Sequence, residues 1–179
     1  MPFKIKPYLY RMHRLDSNMC VAVNHTSHYR MVRDSFRLVS RLGDGVFWYS
    51  LMLAILVLQG REGILPVLHM ALAGLSGTLL YKWLKAKTLR PRPYQVRQEI
   101  NMAALPLDKF SFPSGHTLHA VLFSVVVLNY YPWLSVILLP FTFMVGLSRV
   151  VLGLHYPSDV VAGALIGSAV AGLSFLLVQ

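Results

Sequence analysis

Residues 64–93 read ILPVLHMALAGLSGTLLYKWLKAKTLRPRP, and the point where the apolar residues stop decides the fold. From Ile64 to Leu84 the only charge is Lys82. As a helix this run spans about 32 Å, enough to cross a hydrocarbon core of about 30 Å. Lys85, Lys87, Arg90 and Arg92, with Pro91 and Pro93 among them, then end both the helix and the apolar phase. Working outward, further apolar runs cover Val46–Gly60, Thr117–Tyr131, Trp133–Gly153 and Val160–Val178. The first is short, about 23 Å as a helix, and needs flanking residues or a locally thin bilayer.

Composition agrees with a membrane chain. Of 179 residues 55% are hydrophobic and only 13% charged, yet the net charge is +10. With glycine the apolar share is roughly 61%, against about 45–50% in soluble domains. A basic nucleic-acid module would carry its cations on a polar surface, and a disordered chain would be far less hydrophobic. The lone Cys20 excludes an intrachain disulfide, and no cysteine pair exists for zinc. The expected fold is therefore an all-α membrane protein: a polytopic bundle of about five transmembrane helices plus an N-terminal interfacial amphipathic helix. Residues 1–45 form a basic arm and residues 46–179 the transmembrane catalytic bundle, together one domain. The basic start over residues 1–14 lacks the apolar segment of a signal peptide.

Within the arm, Tyr29, Val32, Phe36 and Val39 recur at helical spacing, with Arg30, Arg33, Arg37 and Arg41 on another side. Such a helix suits the interface with anionic headgroups; the alternative is a solvated helix packed on the protein. Asn24-His25-Thr26 fits the glycosylation triplet, a pattern short enough to arise by chance. Lys82 is expected to snorkel to the interface. His69 lies mid-span, where a hydrogen bond within the bundle is expected, and neither it nor His119 is given a catalytic part.

Polar residues at the span ends are the informative ones. Lys85 and Arg92-Pro93 close the second span, Pro113-Ser114-Gly115-His116 opens the third, and Ser148-Arg149 with His155 and Asp159 bridges the fourth and fifth. Alternating spans bring all three clusters to one face of the membrane. Lys85, Arg92 and Arg149 supply three cations suited to a phosphate or diphosphate. Ser114 can cap a helix whose N-terminus favours an anion, and Gly115 allows close backbone approach. Asp159, four residues beyond His155, can hold one ring nitrogen and leave the other to attack phosphorus. His116 can then protonate the leaving oxygen.

Together these residues resemble the phosphatidic acid phosphatase type 2 family of membrane lipid phosphatases. The resemblance rests on K-x6-R-P, P-S-G-H and S-R-x5-H-x3-D, here Lys85…Arg92-Pro93, Pro113–His116 and Ser148-Arg149…His155…Asp159. Ser40-Arg41-Leu42-Gly43-Asp44-Gly45 also looks like the family's lead-in to an early membrane helix. The resemblance implies a metal-independent phosphomonoesterase or diphosphatase with no cofactor. Residues matching His155, His116 and Asp159 would serve as nucleophile, general acid and orienting carboxylate. Those matching Lys85, Arg92, Ser114, Gly115 and Arg149 would hold the phosphoryl oxygens.

The expected partners are a phosphorylated membrane lipid (phosphatidylglycerol phosphate, phosphatidic acid or undecaprenyl diphosphate) and the bilayer, without nucleic acid. The expected location is the bacterial cytoplasmic (inner) membrane. In the five-span arrangement 16 of the 17 Lys and Arg fall on the catalytic side, with Arg61 opposite. The positive-inside rule puts that side in the cytoplasm, whereas family members acting on envelope lipids usually face outward, so the side stays open. A competing reading is a non-enzymatic lipid- or anion-binding membrane protein that keeps a phosphate site.

Overall fold

Proline, glycine and charge punctuate the chain, and the helices start and stop at them. The computed structural model describes the backbone of residues 7–178 and the side chains of residues 11–178. Lys4 and Lys6, part of the basic N-terminal start, lie outside the described residues. Among the described residues every regular element is helical.

The arm comprises α1 (Pro7–Asn24) and α2 (Arg30–Arg41). A π-helical turn over Leu42–Val46, kinked at Gly45 with φ 131°, leads into α3 (Phe47–Gln59). Gly60, at φ 56°, reverses the chain into α4 (Ile64–Thr88). The reversal is tight: a Cβ on Gly63 would stand 2.7 Å from the carbonyl oxygen of Ile55. A short α5 (Pro93–Val96) and a long loop precede α6 (Gly115–Tyr130), α7 (Ser135–Val151) and α8 (Pro157–Phe175). The five expected spans thus correspond to α3, α4, α6, α7 and α8.

By length and composition, three stretches among the described residues are long and apolar enough to cross a membrane: Arg30–Val96, which contains both α3 and α4, Pro132–Val151 and Pro157–Phe175. Gly115–Tyr130 is apolar but shorter. Placement explains its brevity. The helix α6 is the central one, packed against α4, α7 and α8, with Leu118, Leu122 and Val126 fully buried. Its contact with α8 is backbone to backbone. A Cβ on Gly163 would lie 2.5 Å from the carbonyl oxygen of Ser114, and one on Gly167 would overlap that of Leu118. Small residues at such crossings let membrane helices approach closely.

The arm folds back on the bundle. Phe36 of α2 packs with Ala103, Leu152 and Leu154, and Val39 joins the main core, while Met31 and Leu38 are exposed. The helix therefore turns part of its apolar stripe onto the protein. Asn24 agrees with the chance reading of its triplet. It is fully buried, and its amide donates to the carbonyls of Asn101 and Val151, each at 2.9 Å, while accepting from Asn101 N at 2.8 Å. Asn24 is a clamp between arm, loop and α7, not a glycan acceptor, because its burial leaves no room for a sugar.

Candidate active site

Four segments bring the site together, and each is fixed by local chemistry. At the end of α4, Leu89 adopts a left-handed conformation (φ 49°) and Pro91 forbids further helix, so Lys85 stays on the last turns and Arg92 departs. Ser114 caps α6: its Oγ accepts from Thr117 N and lies 2.9 Å from Thr117 Oγ1. Pro157 occupies the first turn of α8, and Asp159 accepts from Tyr156 N at 2.9 Å, capping that helix with a carboxylate. Ser114 N donates to Asp159 O at 3.1 Å, which ties the two helix starts together. Arg149 stands in the last turn of α7, and His155 lies between α7 and α8 with its N–H on Arg149 O at 3.1 Å.

These residues converge. Arg92 is 1% exposed; its Nη1 donates to Leu154 O at 2.7 Å and lies 3.4 Å from His155 Nε2. Lys85 and Arg149 are also buried, and Arg149 donates to Ser40 of α2. The opposite side of the His155 ring faces Asp159, with Nδ1 at 3.7 Å from Oδ2. That distance is too long for a hydrogen bond, so Nδ1 has no partner. Burial, then the charges of Arg149, Arg92 and Lys85, push the His155 pKa well below its ordinary value. Both effects favour the neutral imidazole.

His116 stands on the first turn of α6, and its Nε2 contacts Asp44 of the Leu42–Val46 turn. Gly115 faces the ring of Tyr81, where a Cβ would be 3.4 Å away. Ser114 is fully buried with its hydroxyl in the helix cap, so its part in this centre is to fix the start of α6. Two cavities flank this centre. One, of about 470 Å³, opens between α3, α4 and α6 and is lined by Trp48, Tyr49, Gly74, Tyr81, His116 and Phe123. The other, about 350 Å³, lies between α2 and the loop before α6, with Arg37, Arg41 and Arg149 in its wall.

Four residues outside the motif reading complete the arrangement. Asp108 receives Lys85 Nζ on both oxygens, at 2.8 and 2.7 Å, and Arg92 Nη2 at 2.8 Å. Burial pushes its carboxyl up, but Lys85 and Arg92 outweigh that and hold it below the usual carboxylate range. Arg90 donates to Asp159 Oδ1 at 2.6 Å and to Asp16 of α1 at 2.7 Å. Ser111 donates to the other Asp159 oxygen. A signal for these existed in the composition. Carboxylates are scarce, seven in the chain, and Asp16, Asp44, Asp108 and Asp159 all touch this network.

Comparison with known proteins agrees with the geometry. Residues 66–179 match the PAP2 superfamily. The chain belongs to the PAP2 superfamily. It is 27% identical over 154 residues to the undecaprenyl-diphosphatase BcrC of Bacillus subtilis, covering 86% of this chain and 79% of that protein. The fold matches the crystal structure of Aquifex aeolicus LpxE with a TM-score of 0.77 at 28% identity, over 89% of this chain and 93% of that one. It also matches the first transmembrane PAP2 type phosphatidylglycerolphosphate phosphatase from Bacillus subtilis, with a TM-score of 0.75 at 24% identity, covering 93% and 86% of the two chains. This PAP2 protein is thus a multi-pass membrane hydrolase of the lipid phosphatase family.

Proposed function

We propose that this PAP2 protein hydrolyses a terminal phosphate from a membrane lipid through a phosphohistidine intermediate, with no metal ion. The observation that carries the reading is a buried His155 whose Nε2 lies 3.4 Å from the Arg92 guanidinium, with Lys85 and Arg149 buried alongside. His155 Nε2 attacks phosphorus as the bond from phosphorus to the lipid oxygen breaks, and His116 gives its proton to that oxygen. Deprotonated His116 then takes a proton from water, whose oxygen attacks the phosphohistidine. Inorganic phosphate leaves and His155 is regenerated. Asp159 orients the ring, and Lys85, Arg92, Arg149 and the start of α6 bind the oxygens. The cavity between α3, α4 and α6 ends at His116 and suits the lipid side of the scissile bond.

The substrate class is a lipid phosphomonoester or diphosphate: phosphatidylglycerol phosphate, phosphatidic acid or undecaprenyl diphosphate. Resemblance to an undecaprenyl-diphosphatase favours testing the diphosphate first. The expected site of action is the bacterial cytoplasmic membrane, and a reporter fused after Gln179 decides which face carries the site. Phosphate release from a panel of these lipids by purified protein in detergent is the test. Wild type should release phosphate from at least one, and His155→Ala and His116→Ala should lower the rate by about 10³-fold or more. Unchanged release by either variant would sink the assignment.

A further inference from the structure

The cations proposed to bind phosphate already share a ligand within the chain. Lys85 has three N–H donors. Two go to the Asp108 oxygens at 2.8 and 2.7 Å, and the third to Phe110 O at 3.1 Å. Arg92 gives Nη2 to Asp108 Oδ1 at 2.8 Å and Nε to Asp108 O at 3.2 Å. A phosphoryl group that takes these donors must therefore displace the Asp108 carboxylate. The side able to move is evident from burial. The side chains of Lys85 and Arg92 are 7% and 1% exposed, whereas that of Asp108 is 38% exposed, on a loop whose Leu105 and Leu107 also point outward.

Building on the phosphatase reading, we propose that Asp108 is a specificity-determining residue that excludes phosphodiester headgroups from the Lys85–Arg92 pair and admits terminal phosphoryl groups. A bilayer surface is crowded with phosphodiesters, each a monoanion. Exchanging the Asp108 carboxylate for such a group swaps one negative charge for another, and the tethered carboxylate has the advantage of high effective concentration. A terminal phosphoryl group brings a charge of about −1.5 to −2 and three acceptor oxygens. It gains Coulombic attraction to Lys85, Arg92 and Arg149 that a diester lacks. Selection thus rests on charge at the phosphorus and not on recognition of the headgroup.

The test uses the full chain in mixed micelles of neutral detergent with increasing dioleoylphosphatidylglycerol, and phosphatidic acid as substrate. Wild type and Asp108→Glu should keep nearly the same KM as the diester rises. Asp108→Asn should show a KM several-fold lower in neutral detergent alone, rising about tenfold as diester is added. A KM for Asp108→Asn that is higher in neutral detergent and insensitive to the diester would overturn the proposal, since Asp108 would then be positioning the two cations. A second measurement needs no variant. Carbodiimide-directed labelling of Asp108 in wild type, read by mass spectrometry, should rise when orthovanadate saturates the site, and unchanged labelling overturns displacement. Labelling that does not respond, in a protein whose phosphate release still depends on His155, would defeat the Asp108 proposal and leave the phosphatase reading intact.

Discussion

Helices α4, α6 and α8 bury a histidine cluster at one end and the proposed phosphate site at the other, and the two clusters follow opposite rules. At the far end His69 of α4 bonds Tyr130 Oη through Nδ1 at 2.9 Å and Ser174 Oγ through Nε2 at 2.7 Å. Ser174 also donates to Ala171 O at 2.7 Å. Every polar atom of that ring has a partner, and no formal charge is involved. At the site end His155 Nδ1 and Arg149 Nε are buried without a partner, and Lys85, Arg92 and Arg149 crowd together. A closed neutral cluster joins helices; an open, charged one costs stability that a bound anion would offset. The contrast separates a structural histidine from the one proposed as nucleophile without reference to any motif.

Arg149→Ala should break the charged end most severely after the histidines themselves. Removing its donors should cost about 10²–10³ in kcat/KM. It should also alter the pH profile, with a sign that follows from the geometry. The His155 pKa is depressed, first by burial and next by Arg149, so in wild type the ring stays neutral as pH falls below the ordinary imidazole range. Without Arg149 the pKa climbs back toward that range, and the acidic limb of kcat/KM should move to higher pH. A limb that stays in place would show that Arg149 does not act on His155.

Arg90→Gln sharpens the contrast at a residue one contact further out. It leaves Asp159 Oδ1 without its cation but removes nothing that touches substrate. We expect kcat to fall by about 10-fold or more, as for other outer-shell partners, with KM unchanged. A rise in KM alone would instead place Arg90 on the substrate.

His69→Leu should do least to the chemistry. It leaves Tyr130 Oη unpaired, costing about 1–3 kcal/mol of stability, visible as a lower melting temperature in detergent. Phosphate release should stay within about twofold of wild type, since uncoupled sites act independently. A large loss of turnover would mean that the two ends are linked through α6 or α8.

Much of this was legible before any coordinates. The five spans could be read because glycine, proline and charge mark each end, and the three motifs converge because alternating spans must return to the same face. His69 could be given a hydrogen-bonding place from its position within an apolar run. The pairings could not. Arg90 meets Asp159 and Asp16 across 69 and 74 residues of chain, and Asp108 reaches back 23 residues to Lys85. Nothing local distinguishes them from topology charges. Asp44 lay within the stretch Ser40–Gly45 whose likeness to the family was noticed, yet its partner His116 is 72 residues away. Asn24 shows the reverse case: its triplet reads as a chance match, and its part as a clamp appears only in the fold.

The glycine contact between α6 and α8 has a consequence for how such a protein can diversify. His116 rides on α6, and His155 and Asp159 lead into α8, so main chain pressed on main chain sets the distance between the histidines proposed as proton donor and nucleophile. No layer of side chains intervenes there to be resized. The wall proposed to meet the lipid is built elsewhere, from Trp48, Tyr49 and Met52 on α3 and Leu75 on α4. On that reading, exchanges in that wall would tailor the chain length or branching of the accepted lipid while the reacting atoms keep their places. The reaction is thereby uncoupled from the choice of tail.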